Sequence, residues 1–314
     1  MKSTSSAPGK VILFGEHFVV YGARAVLCAI DRRISVTAQT TRDDSITIRS
    51  NIGDLTGPTN AESSEIDSPL RPLFHLAKNS IQRNDHAGGI SIRVKSDIPS
   101  GMGLGSSSAC CVAGASAVSS LFEKLDRNEI LRLAIDAEKT VHFDSSGADC
   151  TACMHGGIMV YSKDGFTRLN QSPDFKLVIA NSNMEHSTRI MVSGVRQFME
   201  QDKDRFSNMC DAEDRLIEHA LFLLEKNDLA GLGQCMRKNQ ELLEEMGVSN
   251  DTLGAMVAAA NETSFGSKIT GAGGGGCILA LNNNDGVLRT TSHLNKKGIE
   301  CFSAGIDFKG LDTF

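Results

Sequence analysis

The segment Pro99-Ser100-Gly101-Met102-Gly103-Leu104-Gly105-Ser106-Ser107-Ser108, with Ala109 opening a helical stretch to residue 121, is suited to holding an anion. Glycine lets the backbone approach a ligand closely and take positive φ. A helix start adds unpaired N–H groups and the positive end of a dipole, for which phosphate is a natural guest. A flexible linker before a small-residue helix is the plainer reading of the same residues. Two other glycine-bearing segments lie far away in sequence: Ala7-Pro8-Gly9-Lys10, and Lys268-Ile269-Thr270-Gly271-Ala272-Gly273-Gly274-Gly275-Gly276-Cys277. The latter has the spacing of a dinucleotide fingerprint at Gly271, Gly273 and Gly276, yet a strand follows it where that fingerprint needs a helix. The Walker A and protein-kinase signatures are both absent. A nucleotide, if bound, is held in another way.

Phosphoryl transfer also needs a metal to bridge phosphate oxygens, a group to take the proton from the nucleophile, and cations for developing charge. Magnesium takes one or two protein oxygens beside phosphate and water, and Ser107 and Glu138 are candidates. Glu138 falls on the polar side of its helix, so a solvated carboxylate is the competing reading. Asp149 follows the turn Ser145-Ser146-Gly147-Ala148 and either points into a cleft or caps a helix. Lys10 and the pair Glu16-His17 flank an otherwise apolar strand, where a charge can also sit on a solvated edge. Cys150-Thr151-Ala152-Cys153 with His155 could begin a zinc site, but a second such pair is missing, and buried thiols are the simpler reading.

The elements that would position these groups alternate in the first half. A strand over 11–21 is broken at Gly15-Glu16-His17, and strands follow over 33–41, 45–49 and 90–95. Residues 51–68 read as an exposed loop and 70–83 as an amphipathic helix. Asp126-Arg127-Asn128-Glu129 resembles a capping box ahead of the apolar face Ile130, Leu133, Ala134, Ala137 and Val141. A short strand over 156–162 closes this half. The second half is richer in helix, over 188–199, 210–224, 229–246 and 252–262. Strands over 175–180, 268–270, 277–281 and 299–304 surround them. Composition shifts near 165–175, which places a boundary between domains 1–170 and 171–314 of an α+β protein.

Two modest domains fit 314 residues. The net charge of -6, without a dense basic block, argues against nucleic acid and anionic membrane as partners. Apolar runs fall short of a membrane span, and the N-terminus lacks a signal-peptide pattern, so a cytosolic, cytoplasmic protein is expected. The odd count of nine cysteines at irregular spacing agrees with a reducing compartment.

Residues 7–22, Ala7-Pro8-Gly9-Lys10-Val11-Ile12-Leu13-Phe14-Gly15-Glu16-His17-Phe18-Val19-Val20-Tyr21-Gly22, resemble the first motif of the GHMP small-molecule kinases, in the form typical of the mevalonate kinases. Segment 99–108 is similar to the family's phosphate loop, and 268–277 to its third motif, in the family's order and spacing. Galactokinases usually carry Arg at the Lys10 position, and phosphomevalonate kinases commonly show Gly-Glu-Tyr. The run from Glu138 to Asp149 through Val141-His142 and Ser146-Gly147 also resembles the mevalonate kinases, as does Ser187-Thr188-Arg189 with Gly194-Val195-Arg196. Three positions depart from the pattern: Cys110 replaces an aromatic, Ser145 a proline, and His186 an arginine.

The resemblance implies a two-domain GHMP kinase fold, with an N-terminal domain like that of ribosomal protein S5 and a C-terminal ferredoxin-like domain. It implies ATP in the cleft between them and phosphorylation of mevalonate at its 5-hydroxyl, for isoprenoid synthesis. Asp149 would take the hydroxyl proton while Lys10 orients it and steadies charge. Ser107 and Glu138 would hold Mg2+, and the loop from Pro99 to Ala109 would cradle the phosphates. Glu16, His17 and Thr188 would face mevalonate. A homodimer is left open, as are phosphomevalonate kinase or mevalonate 3-kinase activity and a non-catalytic nucleotide sensor.

Overall fold

Pro8 and Gly9 do not delay the first strand. Proline has no N–H to give a ladder, and the register against the neighbouring strand shifts between these two residues, as in a bulge. The strand continues on both sides, so β1 (Lys2–Phe14) runs its whole length beside β2 (Ala25–Thr40). The structure is a computed structural model and describes residues 1–99, 101–142, 145–170, 173–184 and 187–314. Ser100 and His186, both singled out above, lie outside the described residues.

After β2 come β3 (Ser45–Ser50), β4 (Gly53–Pro58), α1 (Arg71–Arg83) and β5 (Ile90–Ser96). The chain continues through α2 (Ser106–Ser119), α3 (Arg127–Lys139), α4 (Ala148–His155), β6 (Ile158–Ser162) and β7 (Gly165–Arg168). Among the described residues these strands form one sheet, in the order β1-β2-β5-β3-β4, with β6 and β7 branching from β2. Helix α2 lies against β1 and β2 and beneath α1 and α3. It is buried from Ser108 to Ser119 except at half-buried Cys110, which is why its sequence is small on nearly every side rather than striped. A Cβ at Gly114 would collide with Leu73 of α1. The capping box at Asp126 forms as expected: its carboxylate accepts from Asn128 and Glu129 N–H, and Glu129 reaches back to Asp126 N–H.

The second half consists of β8 (Lys176–Asn181), α5 (Thr188–Gln201), α6 (Lys203–Glu225), α7 (Leu229–Glu245), α8 (Asp251–Asn261), β9 (Gly266–Thr270), β10 (Cys277–Asn282), α9 (Asn284–Lys296) and β11 (Cys301–Ala304). Its strands make an antiparallel sheet in the order β11-β8-β10-β9, the ferredoxin-like arrangement. The passage from one sheet to the other lies between β7 and β8.

Two sequence expectations change. Residues 51–68 hold β4, which pairs with β3, because a two-residue turn at Asn51-Ile52 folds this polar stretch back as a hairpin. Phe18–Tyr21 is a turn of 3₁₀ helix rather than strand. After β11 the tail returns to the first sheet. There β12 (Asp312–Thr313) pairs with β1, and Arg33 binds Asp307 and the carbonyls of Ser6 and Gly310. The same strap seats the C-terminal end of α4: Leu311 N–H donates to Met154 O at 3.0 Å.

Candidate active site

The phosphate-loop candidate folds against β1. Lys10 N–H donates to Leu104 O at 2.9 Å, and a Cβ on Gly105 would sit 2.8 Å from Lys10 Cγ. Gly101, Gly103 and Gly105 all take φ between 72° and 74°, a region that favours glycine. At Gly101 and Gly103 an added Cβ would meet nothing, so these two face open space. Gly105 is the N-cap of α2 and makes no side-chain cap. The loop therefore presents glycine backbone and an uncapped helix start to one side, the arrangement an oligophosphate needs. Pro99 precedes the loop, Met102 and Leu104 anchor it in the core, and Ser106, Ser107, Ser108 and Ala109 form the first turn of α2.

Lys10 and Asp149 meet beside this loop, Nζ to Oδ2 at 2.9 Å, with side chains 5% and 39% exposed. Asp149 is not a cap: Gly147, at φ 79°, occupies the cap position of α4 and leaves Asp149 in its first turn, reaching back to β1. Burial alone would lower the Lys10 pKa, but the Asp149 carboxylate beside it, helped by Cys153 and Glu138, raises it above the ordinary lysine value. The ammonium is thus held charged in a dry place.

Glu138 is buried, 4% exposed, so the solvated-carboxylate reading fails. Helix α3 packs that face onto α2 and α4. The Glu138 carboxylate accepts from Ser108 Oγ, from Ser145 Oγ at 2.6 Å, and from Cys150 Sγ at 3.5 Å. Ser108, rather than Ser107, is the hydroxyl bonded to Glu138. One residue is a 100° step around a helix, and it is Ser108 that faces α3. Among the described residues no cation forms an ion pair with Glu138. A buried carboxylate with hydroxyl neighbours and no cation fits a hard divalent ion next to a phosphate loop. The Cys150 and Cys153 thiols are fully buried, and burial pushes both well above the ordinary cysteine value. His155 packs its ring, tilted, against Phe166 instead of joining them.

Glu16 and His17 sit on the turn after β1 and are tied to the second half of the chain. Lys268 of β9, fully buried, forms an ion pair with Glu16 Oε1, while Glu16 Oε2 is buried without a hydrogen-bond partner. Burial raises the Glu16 pKa against the pull of Lys268. His17 takes φ 60°, strained for a residue with a side chain, and its Nε2 lies 2.8 Å from Ala272 O in the glycine run after β9. Burial lowers the His17 pKa, which keeps the ring neutral near pH 7. Thr270 Oγ1 donates to Ile12 O and accepts from Ile12 N–H, both at 3.0 Å. The first and third motifs thus interlock. Thr188 opens α5 with its side chain exposed; Met191, further along that helix, abuts Gly274. Among the described residues no hydrogen bond joins Thr188 to Glu16 or His17.

Sequence reading passed over Glu213, Asn239 and the role of Ser145. Glu213 is fully buried on α6, accepting from Gly15 N–H at 2.8 Å and from Asn239 Nδ2 at 2.7 Å. Burial, with Glu16 nearby, pushes its pKa up to about 7 against the opposing pull of Asn239, Lys268 and Gly15 N–H. A signal existed: 213 falls on the buried stripe Phe206, Met209, Ile217, Ala220 and Leu224, where a glutamate breaks the pattern.

Two family models, for the N-terminal and C-terminal domains of GHMP kinases, match residues 73–157 and 220–299. The chain belongs to the GHMP kinases. Within that family it is similar to curated proteins called mevalonate kinase. One from Pyrococcus horikoshii is 35% identical over 88% of each chain, and one from Aeropyrum pernix is 30% identical over 98% of this chain and 96% of its own. Among solved structures, the Methanococcus jannaschii mevalonate kinase superposes with a TM-score of 0.87 at 28% identity, covering 97% of this chain and 98% of that one. The Leishmania major mevalonate kinase in complex with R-mevalonate shares the fold, with a TM-score of 0.81 at 23% identity over 96% of this chain and 95% of that one.

Proposed function

We propose that this protein is a mevalonate kinase, transferring the γ-phosphoryl group of ATP to the 5-hydroxyl of (R)-mevalonate. The observation that carries the chemistry is the Lys10–Asp149 pair, set against a glycine loop at a helix start. Asp149 takes the proton from the hydroxyl as its oxygen attacks the γ-phosphorus, and the bond to the leaving ADP oxygen breaks. A positioned carboxylate contributes roughly 10²–10⁴-fold to such a step. Lys10 holds Asp149 in place and offsets the charge gathering on the transferred group. Backbone N–H groups from Gly103 to Ser108 bind the phosphates, and Glu16, His17 and Thr188 face mevalonate. Glu138, with a hydroxyl of Ser107 or its neighbour Ser108, would hold Mg2+, which would supply positive charge to offset that of the phosphates.

In this reading residues 1–170, with the tail strapped back onto them, bind the nucleotide, and the remainder of 171–314 completes the acceptor side. The protein works in the cytoplasm on small molecules, without nucleic acid or membrane as partners. Support for mevalonate over other alcohols comes from relatives at 30–35% identity that are called mevalonate kinase. The test is ADP release over a panel of mevalonate, 5-phosphomevalonate, galactose and homoserine. Turnover with mevalonate, lost in Asp149→Asn, is expected. Turnover with another acceptor alone overturns the substrate, and ATP binding without turnover of any acceptor overturns the enzyme.

A further inference from the structure

The turn that carries Glu16 and His17 leaves β1 at Phe14 and re-enters the sheet at Ala25. Its two ends press together, since a Cβ on Gly15 would strike the Arg24 carbonyl. Two adjacent residues of α6 grip those ends. Glu213 Oε1 accepts from Gly15 N–H at 2.8 Å. The Asp214 carboxylate accepts from Arg24 Nε at 2.7 Å, Nη2 at 2.9 Å and backbone N–H at 3.3 Å, and Asp214 O takes Nη2 at 3.1 Å. Between them Phe206, two turns earlier on α6, packs on Phe18 and Tyr21 with ring centroids 6.3 Å and 4.7 Å apart. Asn239 of α7 fixes the other Glu213 oxygen at 2.7 Å.

A buried carboxylate here is expensive. It stands beside a second buried carboxylate, Glu16, and one ammonium, Lys268, serves both. An apolar residue would complete the α6 stripe without that repulsion. What only a hydrogen-bond acceptor at 213 provides is a partner for Gly15 N–H, which would otherwise be buried and unpaired.

We propose that Glu213 and Asp214 form a clamp by which α6 positions the acceptor turn, Glu213 being a positioning residue for Glu16 and His17. The proposal rests on the reading that Glu16 and His17 face the acceptor alcohol. The clamp acts on the acceptor and leaves the phosphate loop, held by β1 and α2, untouched.

Steady-state kinetics of the full chain test it, with KM for ATP and for mevalonate measured separately. Glu213→Ala is expected to raise the mevalonate KM about tenfold or more while the ATP KM stays within about twofold. Glu213→Gln should restore the mevalonate KM, because its amide oxygen still accepts from Gly15. The Asn239 amide, whose Oδ1 is unpartnered, can turn to accept from the new Nε2. Asp214→Asn, at a partly exposed position that does not endanger folding, should raise the mevalonate KM about threefold. Equal rises in both KM values, a Glu213→Gln variant as impaired as Glu213→Ala, or an unchanged mevalonate KM in Asp214→Asn overturns the clamp. If Glu213→Ala fails to fold, the other two variants decide. Failure of the functional reading shows in the wild type alone, as absence of turnover with mevalonate. The variants are then measured with whichever alcohol the wild type accepts.

Discussion

The Lys10–Asp149 pair is unequal, so cutting it from its two ends should have different consequences. Lys10 is almost wholly enclosed, whereas Asp149 is 39% exposed. Removing one partner of a buried pair usually costs about 3–5 kcal/mol, because the other charge is left uncompensated in a dry place. Asp149→Asn leaves the enclosed ammonium in that position. Glu138 lies close enough to relieve part of the loss, which brings the expected destabilisation to about 2–3 kcal/mol. Lys10→Met leaves only a carboxylate that water can reach, and methionine refills the space, so about 1 kcal/mol or less is expected. The pH dependence follows with a definite sign. In the wild type the Lys10 pKa is raised, so the pair's stabilisation is complete below the ordinary lysine value and fades only above it. In Asp149→Asn burial is the dominant influence left and holds the Lys10 pKa below that value. The unfolded chain then binds more protons than the folded one, and the variant gains stability as pH rises from 7 toward 9.5. Urea unfolding followed by circular dichroism at both pH values measures this, alongside ADP release, which both variants should lose by roughly 10²–10⁴-fold. A Lys10→Met variant as destabilised as Asp149→Asn, or a deficit in Asp149→Asn that does not shrink at high pH, refutes the argument.

Glu213 makes a pH prediction of the opposite sign. Its pKa is raised, so the folded protein keeps the proton longer than the unfolded one, and stability declines as pH rises from the ordinary glutamate value of 4.5 through about 7. That interval corresponds to about 3 kcal/mol. The stability advantage of Glu213→Gln over wild type should grow by about that much between pH 4.5 and 7.5, and an advantage constant across this range defeats the assignment. In the phosphate loop, Gly103→Ala has open space but a strained φ of 72°, so a stability loss of about 1 kcal/mol with a raised ATP KM is expected. Gly105→Ala adds a clash with Lys10 Cγ at 2.8 Å and should also displace Lys10, lowering kcat. Equal kinetic behaviour of the two variants counts against the placement of Lys10 beside the loop.

How much of this was legible in the sequence depended on whether a residue's partner lies near it in the chain. The capping box at Asp126 was readable because its hydrogen bonds span three residues. Helix starts, the glycine loop and most strand positions were readable for the same reason. Glu138 was misjudged as a possible solvated group because helical periodicity reports which face is polar, not what another helix lays over it. Here α2 and α4 cover that face, with hydroxyls supplied by Ser108 of α2 and by Ser145 in the loop before α4. That Ser108 and not Ser107 bonds to Glu138 is a matter of rotation about α2 that composition cannot register. The tail strap was hidden because short polar stretches such as Asp307–Thr313 carry no periodicity, and their pairing with β1 is fixed by Arg33 from the far end of the chain.

Glu213 is the instructive case, because the signal was there and pointed at function rather than packing. A glutamate in an otherwise apolar stripe raises two possibilities: the stripe is misread and the residue is solvated, or the charge is enclosed and something requires it. Burial decides for the second, and the raised pKa shows that the position is costly rather than neutral. Interactions that hold a fold together seldom need a buried carboxylate next to another one, since apolar residues do that at lower cost. An acceptor for the N–H of Gly15, one residue before Glu16, is something apolar residues cannot provide. The break in the stripe therefore marks where α6 stops serving the core and begins serving the turn that carries Glu16 and His17.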